Sequence, residues 1–434
     1  MRKCSIRISR NHFDKKTVTE SYLGEIIIPK PYGISSELGE INTTTHTVET
    51  NGKTVYNSGA AFFESTASRE RFKSNRLKEL ILDFSTDTSN RNAANRLNRI
   101  RLEEKGIGAT TYRNIVEREG AAIQNQIEQK CEKALLDNGF SINGELLEGT
   151  DFTPNEHQHI EQAAIEHAAI KLKIWEYNAA DYELPTETVN VSLDDVCVKR
   201  QTETRPGDKE TQPKKVNNTV LHVQASNTSY ILNAASLFGG IKLLIGFLLS
   251  NGLLNKHIVI FADGARNINA AVLKMLRFAN YKIILDWYHV KKKCQELLSM
   301  ALKGSKTRNE FLDGFLGYLW FGNIDGAIKQ LQNIDPKKIK NNDYIITLTD
   351  YLERVRVYVP CYALRKELGL RNSSNRGEKA NDTIVANRQK HNGMSWSDNG
   401  SVAFATVAAA SHNREIKRWT HNQTISLELR KNVA

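Results

Sequence analysis

The most constraining feature of the sequence is a run of alternating strand and helix patterns between residues 189 and 285. Stretches rich in Val, Ile, Leu and Phe predict strands at 189–198, 219–225, 229–232, 257–262 and 281–285. Longer apolar or amphipathic patterns predict helices at 237–249 and 267–278. Three strands, a helix, a strand, a helix and a strand are the element order of a mixed α/β sheet.

The remaining chain divides into regions by composition and pattern. A length of 434 residues allows about two to four domains. We expect a small β-rich region of open role, a helical region with a helix-turn-helix near 88–120, two parts of an α/β core, and a helical insertion between those parts. The β-rich region spans 1–60, the helical region 61–183, the α/β core 184–290 and 373–434, and the helical insertion 291–372.

The charge balance favours a polyanionic partner. Lys and Arg number 60 against 49 for Asp and Glu, which gives a formal net charge of +11. Charge alone leaves open a basic enzyme that binds no such partner.

Cysteine usage and hydropathy indicate a cytoplasmic protein. The five cysteines are scattered, which argues against a disulfide scaffold and for a reducing compartment. The most apolar stretch, 237–249, carries Lys242 and is too short to cross a bilayer, so we expect no membrane partner.

A glycine turn at Gly106 and Gly108 separates two basic helix patterns, 92–101 and 112–118, and the second should end at Gly120. This arrangement is typical of a DNA-binding helix-turn-helix. Its predicted contacts are Arg113 with the major groove and Arg91, Arg96 and Arg99 with phosphates. The alternative is a plain α-hairpin with a solvated polar face.

A further amphipathic helix is predicted at 155–178. On a helix His157 and His159 would point apart, so no metal site is expected there and these side chains should be solvated.

Carboxylates lie in or directly after three of the predicted strands. Asp263 and Asp286 follow strands, where an Asp can also serve simply as a helix N-cap. Asp194 and Asp195 lie inside the first strand, so their side chains point to opposite faces. We choose Asp194 for the site, which shares a face with Ser192.

Cleavage of a phosphodiester with two metal ions requires several carboxylates that converge on hard cations such as Mg²⁺. Asp194 and Asp263 would supply two of them, and Glu378 on a later helix a third. Basic neighbours of Glu378 could hold phosphates: Arg376, Lys379, Arg388 and Lys390. Taken alone, Glu378 could equally be a first-turn acid favoured by the helix dipole.

Four motifs together resemble a known family. They are VSLDDVCVKRQ at 191–201, IFADGAR at 260–266, ILDWYHV at 284–290 and GEKANDTIVANRQKHNGMSWS at 377–397. In this order the motifs resemble bacterial insertion-sequence transposases of the DDE type, closest to the group related to the eukaryotic Mutator elements. The similarity covers roughly 185–420.

The resemblance implies an RNase H-like catalytic core interrupted by an all-helical insertion. It implies that Asp194, Asp263 and Glu378 form a catalytic triad that binds Mg²⁺ or Mn²⁺, with Asp286 and His289 as auxiliary catalytic residues. The choice of Asp194 over Asp195 rests partly on this resemblance, and Asp195 stands where the family often has Gly, which leaves the identity of the first acid open.

The function that follows is DNA transposition at the ends of an insertion sequence, by phosphodiester hydrolysis and strand transfer. Transposon ends and target DNA would be the partners, the enzyme would form a homo-oligomer, by resemblance a dimer, and it would be nucleoid-associated in the cytoplasm. The alternatives are a host nuclease or resolvase with the same core, and an inactive, domesticated DNA-binding regulator.

Overall fold

The computed structural model describes 11 segments of the chain: 8–12, 16–21, 24–29, 32–35, 39–42, 47–50, 53–56, 72–102, 106–201, 214–390 and 394–431. Contacts divide the chain into two compact units. The first comprises Met1–Val116 and Ile416–Gln423, and the second comprises Glu117–Glu415 and Thr424–Ala434. The division into five regions drawn from the sequence stays a prediction.

The first unit begins with short strands, as expected for a β-rich region. The strands are β1 (Ile8–His12), β2 (Lys16–Ser21), β3 (Gly24–Pro29), β4 (Tyr32–Ser35), β5 (Gly39–Asn42), β6 (Thr47–Thr50), β7 (Lys53–Tyr56) and β8 (Phe72–Lys73). They pair as two three-stranded sheets, in the orders β1-β4-β5 and β3-β2-β8, and as the hairpin β6-β7.

Two helices with serine caps follow in the first unit, α1 (Asn75–Ser85) and α2 (Asn90–Ile100). The Ser74 and Ser89 hydroxyls each accept a hydrogen bond from the first turn, which satisfies an otherwise free backbone N–H group. The side chain of Asn98 bonds both backbone groups of Ile107, at 2.9 and 3.0 Å, and so fixes the chain after α2.

The next helix, α3 (Ala109–Asp137), corrects one expectation. The predicted second helix of the helix-turn-helix does not end at Gly120, because α3 continues for 17 residues beyond it. A Cβ on Gly120 would lie 2.4 Å from the carbonyl oxygen of Ala403, so the glycine allows close backbone packing and does not terminate a helix. The helix-turn-helix itself stays a prediction.

The second unit is built on one mixed six-stranded sheet, which confirms the predicted α/β class. Its strands are β9 (Thr188–Lys199), β10 (Lys215–Ala225), β11 (Thr228–Ala234), β12 (His257–Ala262), β13 (Tyr281–Leu285) and β14 (Arg430–Lys431). Their order is β13-β12-β9-β10-β11-β14. Strands β9, β12 and β13 are parallel, and β10 is antiparallel to both its neighbours.

Helices cover both faces of this sheet. The helices of this unit after α3 are α4 (Gln162–Leu172), α5 (Leu237–Ser250), α6 (Arg266–Met275), α7 (Trp287–Ala301), α8 (Ser305–Trp320), α9 (Ile324–Gln332), α10 (Asp343–Val355), α11 (Tyr362–Glu367), α12 (Asn375–Asn381), α13 (Asn387–Gln389) and α14 (Asp398–His412). A further helix, α15 (Ile416–Asn422), belongs to the first unit. Gly240 of α5 packs against Thr219 and Leu221 of β10. On the other face, Asn218 donates a 2.7 Å hydrogen bond to Ser401 of α14.

Helices α7 to α10 form a layer with its own apolar core and lie in the sequence between β13 and α12. Leu298, Phe315, Leu348 and Val355 are fully buried within it. Leu285 at the end of β13 belongs to the same cluster, so the layer packs on the edge of the sheet where that strand ends.

The predicted helix at 155–178 is wrong at both ends, because α4 begins only at Gln162 and ends at Leu172. Before it the chain is extended, with the Ile160 N–H bonded to the Tyr182 carbonyl at 3.0 Å. His157 and His159 therefore do not point apart on a helix; their ring centroids are 4.1 Å apart, and His157 stacks on His257 at 3.7 Å.

No helix in the described segments combines the length and the apolar character that crossing a membrane requires.

Candidate active site

Strand β9 resolves the choice between its two neighbouring aspartates. Asp195 accepts a 2.5 Å hydrogen bond from the hydroxyl of Thr219, on the face of the sheet that α5 covers. Asp194 points to the opposite face, where its Oδ2 accepts a hydrogen bond from the side-chain amide of Asn381 in α12. Only Asp194 is therefore directed toward Glu378.

Asp263 follows the neighbouring parallel strand at an equivalent position. Phe261 of β12 pairs with Ser192 of β9, so Asp263 and Asp194 each lie two residues beyond this pair at the same edge of the sheet. The Oδ1 of Asp263 accepts a hydrogen bond of 2.8 Å from the N–H of Ala265, just before α6. This bond goes to the residue that precedes the helix, so Asp263 is not the N-cap of α6, and it borders the same cleft as Asp194.

Glu378 reaches the sheet because the residue before it has no side chain. A Cβ on Gly377 would lie 2.4 Å from the Cβ of Ser192, so only glycine lets α12 pack this closely on β9. Glu378 lies in the first turn of α12, where the helix dipole favours a negative charge. Close packing therefore brings it to the cleft.

The result is one cleft that all three predicted acids line. Asp194, Asp263 and Glu378 border it together with His289, and Asn381 and Ser192 complete its wall. The three acids are separated by 69 and 115 residues in the sequence, 263 minus 194 and 378 minus 263, and the fold brings them together.

Burial, together with the neighbouring carboxylates, raises the pKa values of two of these acids. Burial raises the pKa of Asp194 above its ordinary value, the negative charge of Asp263 adds to the effect, and His289 opposes it. Burial also raises the pKa of Glu378, with further contributions from Asp286 and Asp194. The cleft therefore concentrates negative charge that the surrounding protein compensates incompletely.

Asp286 fixes the starts of the two helices that carry His289 and Glu378. It is fully buried and caps α7, with Oδ1 accepting hydrogen bonds from the N–H groups of Tyr288 at 2.7 Å and His289 at 3.2 Å. Its Oδ2 accepts a hydrogen bond from the N–H of Ser374, just before α12. Asp286 thus ties the helix that carries His289 to the helix that carries Glu378.

The donor set of the cleft fits a hard divalent cation. Among the described residues, Asp286, His289 and Glu378 form a group whose potential ligand atoms lie within 4.8 Å of one another. Backbone N–H groups already occupy both oxygens of Asp286, so we regard it as a scaffold for the ligands. Glu378 Oε1 is buried without a hydrogen-bond partner in the described chain, although His289 Nε2 lies 3.4 Å away. Such an oxygen is a suitable ligand for Mg²⁺ or Mn²⁺. Asp194 and Asp263 border the same cleft but do not belong to this group of closely spaced ligand atoms.

Sequence reasoning missed residues that hold the acids in position. Asn381 lies three residues after Glu378, on the same side of α12, and this spacing could have indicated its contact with Asp194. The Ser374 N–H and the Thr219 hydroxyl gave no such signal, because a backbone donor and a residue on another strand leave no local pattern.

The predicted DNA-contacting residues are exposed with one exception. Three lie on α2 and one at the start of α3, while three more lie on or near α12 and α13: Arg91, Arg96, Arg99, Arg113, Arg376, Lys379 and Lys390. Arg388 is buried, 2% exposed, with its guanidinium over the rings of Trp396 and Phe404. The prediction that Arg388 holds phosphates is therefore wrong, because its charge is enclosed by aromatic side chains.

A comparison of the chain with models of known protein families found no match, and neither did a comparison with curated proteins.

Proposed function

We propose that the chain is a DNA transposase of the DDE type, encoded by an insertion sequence and related to the Mutator-like group. The observation that carries the proposal is the convergence of Asp194, Asp263 and Glu378 on one cleft. These are the three residues that the family resemblance selects, and nothing in their local sequence requires them to meet.

The sheet supports an RNase H-like core within this proposal. Such a core requires the first and fourth strands to be neighbours, and β9 and β12 are adjacent and parallel. It also requires the third acid to come from a C-terminal helix on the same face, and α12 packs on β9 there. The helical layer between β13 and α12 corresponds to the insertion that the resemblance implies.

In this mechanism the three carboxylates would hold Mg²⁺ or Mn²⁺. When bound, the ions supply charge stabilisation to the attacking and leaving oxygens of a phosphodiester. Asn381 fixes the orientation of Asp194, and Asp286 fixes the helix starts that carry His289 and Glu378. His289 presents Nε2 to the cleft, where it can take up a proton from the attacking hydroxyl group.

The direct test is cleavage and joining of a duplex that carries an inverted repeat flanking the gene. We expect wild type with Mn²⁺ to release a 3′-hydroxyl at the end of the repeat and to join it to a target plasmid. Asp263→Asn and Glu378→Gln should lose activity by roughly a thousandfold or more, because several kcal/mol of transition-state stabilisation disappear.

The sequence offers a matched control one position away from the first acid. Asp194→Asn should be inactive, whereas Asp195→Asn, on the other face of the sheet, should retain activity within about threefold after correction for folded protein. Equal activity of wild type and Asp194→Asn would refute the proposal. Cutting without joining would instead identify a nuclease or resolvase.

A further inference from the structure

A second cavity, which we call the basic cavity, lies beside the acidic cleft and shares Asp263 and His289 with it. It has a volume of about 300 Å³ and lies between the start of α6 and helices α7 and α10. Its other charged lining residues are Lys292, Lys293, Glu296 and Arg354. The cations of this wall thus line a cavity that also includes Asp263, one of the cleft carboxylates.

The basic cavity has cations that the described chain does not neutralise. In the segments that the structure describes, no carboxylate lies within ion-pair distance of Lys292, Lys293 or Arg354. The Arg354 guanidinium is fixed on one side, because its Nη1 donates a 3.0 Å hydrogen bond to the Gly264 carbonyl, and it lies over the Tyr351 ring. Its other N–H groups are available to an anion.

Tyr351 supplies an independent indication of a ligand. The side chain lines the basic cavity and is 7% exposed, yet its hydroxyl is buried without a hydrogen-bond partner in the described chain. Burial and the nearby negative charges raise the pKa of this hydroxyl, so it stays protonated and can donate. An unsatisfied buried hydroxyl costs stability, and phenylalanine would fill the same space without that cost.

We propose that the basic cavity binds the phosphodiester backbone of a DNA strand next to the bond that is cut. Lys292, Lys293 and Arg354 would neutralise one or two phosphates, and the Tyr351 hydroxyl would donate a hydrogen bond to a phosphate oxygen. This inference rests on the proposed function, since it assigns the neighbouring nucleotides of the same substrate. Because Asp263 lines both the basic cavity and the acidic cleft, one DNA strand would contact the cations of the first and the carboxylates of the second.

The test measures DNA affinity without divalent ions, so that binding is separated from cleavage. The probe is a fluorescein-labelled 30-base-pair duplex, and its binding is followed by fluorescence anisotropy between 50 and 200 mM KCl. The triple variant Lys292→Gln, Lys293→Gln, Arg354→Gln should bind at least about tenfold more weakly and show a smaller salt dependence. Inorganic phosphate serves as a competitor and should displace the duplex only at far higher concentration than unlabelled DNA.

A matched control removes the same charge elsewhere in the helical layer. Lys291, Lys306 and Lys329 are exposed and do not line the cavity. Their triple change to Gln should weaken binding less than about threefold. Equal losses in the two triple variants would overturn the inference, since the effect would then be one of net charge alone.

Tyr351→Phe tests the hydroxyl specifically. It should weaken DNA binding about five- to tenfold, with an unchanged salt dependence and a melting temperature no lower than that of wild type, because the lost group is a neutral donor with no partner in the described chain. Wild-type affinity in this variant would contradict the assigned hydrogen bond.

The outcomes separate the two proposals. If wild type fails to cut DNA while the cavity triple variant still loses affinity relative to its control, the transposase proposal fails and the basic cavity stands. If wild type cuts and joins DNA while that variant binds like wild type, the basic cavity fails and the transposase proposal stands.

Discussion

Two clusters of charged side chains in the second unit, the Arg365–Glu183 pair and the acidic cleft, show opposite shifts of their carboxyl pKa values. Arg365 and Glu183 are 0% and 2% exposed, and the guanidinium donates to both carboxylate oxygens at 2.8 and 2.5 Å. Burial alone would raise the pKa of Glu183, but the hydrogen bonds and charge of Arg365 outweigh it and lower that pKa. In the acidic cleft the pKa values of Asp194 and Glu378 are raised instead.

The difference distinguishes the Arg365–Glu183 pair, whose charges are paired within the protein, from the cleft carboxylates, whose charges an external cation would pair. Arg365 also donates to the Arg371 carbonyl at 3.1 Å, so the pair is satisfied within the chain. In the described chain no Arg or Lys forms such a pair with Asp194, Asp263 or Glu378, and His289 Nε2 lies 3.4 Å from Glu378 Oε1. An external cation would relieve the repulsion among the cleft carboxylates. The cleft, and not the Arg365–Glu183 pair, is therefore the candidate functional site.

The largest effect should follow from breaking the satisfied pair. Glu183→Gln leaves the Arg365 charge buried and uncompensated, which should cost about 3–5 kcal/mol. Thermal denaturation should show a melting temperature lower by about 10 °C.

A surface pair provides the control for that experiment. Glu187 contacts Lys256 at 3.1 Å with its side chain 40% exposed. Glu187→Gln should change stability by less than about 1 kcal/mol. If Glu183→Gln melts as Glu187→Gln does, the Arg365–Glu183 pair is not the structural element described here.

A smaller effect should come from adding a divalent cation to the cleft. Mn²⁺ at about 100 times its dissociation constant should stabilise wild type by about 2.7 kcal/mol, because it binds the folded state only. Differential scanning calorimetry should show this shift in wild type and in Asp195→Asn, but not in a double variant with Asp194→Asn and Glu378→Gln. An equal shift in the double variant would place cation binding outside the cleft.

The smallest effect concerns the two neighbouring aspartates in metal-free protein. Asp194→Asn should stabilise by about 1 kcal/mol at neutral pH because it removes a buried charge that Asp263 also repels. Asp195→Asn should destabilise by about 1 kcal/mol because it weakens the bond from Thr219. Urea unfolding monitored by circular dichroism measures both.

The pH dependence of that gain has a defined sign. The folded-state pKa of Asp194 is raised, so the folded wild type binds a proton more readily than the unfolded chain, and its stability falls as pH rises between the two pKa values. The advantage of Asp194→Asn should therefore be full above the folded pKa and vanish as pH falls below the unfolded one. An advantage that grows toward acid pH would contradict the assignment.

Much of the sheet could be predicted because its signals are local. Alternation within β9 placed Asp194 and Asp195 on opposite faces, and the apolar runs of β12 and β13 located Asp263 and Asp286 at strand ends. The choice of Glu378 rested on family resemblance, since an acid in a first helical turn has an ordinary explanation of its own.

The predictions that were wrong concern residues whose contacts lie outside their own helix. Gly120 suggested a helix end, yet its lack of a side chain serves contact with Ala403. Arg388 suggested a phosphate contact, yet it lies over Trp396 and Phe404. Periodicity reports whether a position faces inward or outward on its own element, and it carries no information about which distant residue will pack against it.

The helix that carries Glu378 contains a π-helical turn, Asp382–Ala386, between α12 and α13. A π turn holds about one residue more than an α turn, so it rotates everything beyond it by roughly 100° about the axis. Upstream, Asn381 meets Asp194; downstream, Gln389 meets Ser401 of α14 at 2.6 Å. Both contacts form together only with that additional residue. We therefore expect the stretch to be constrained in length more than in composition. Replacing the exposed Asp382 or Thr383 should leave both contacts intact, whereas deleting either residue should break one of them.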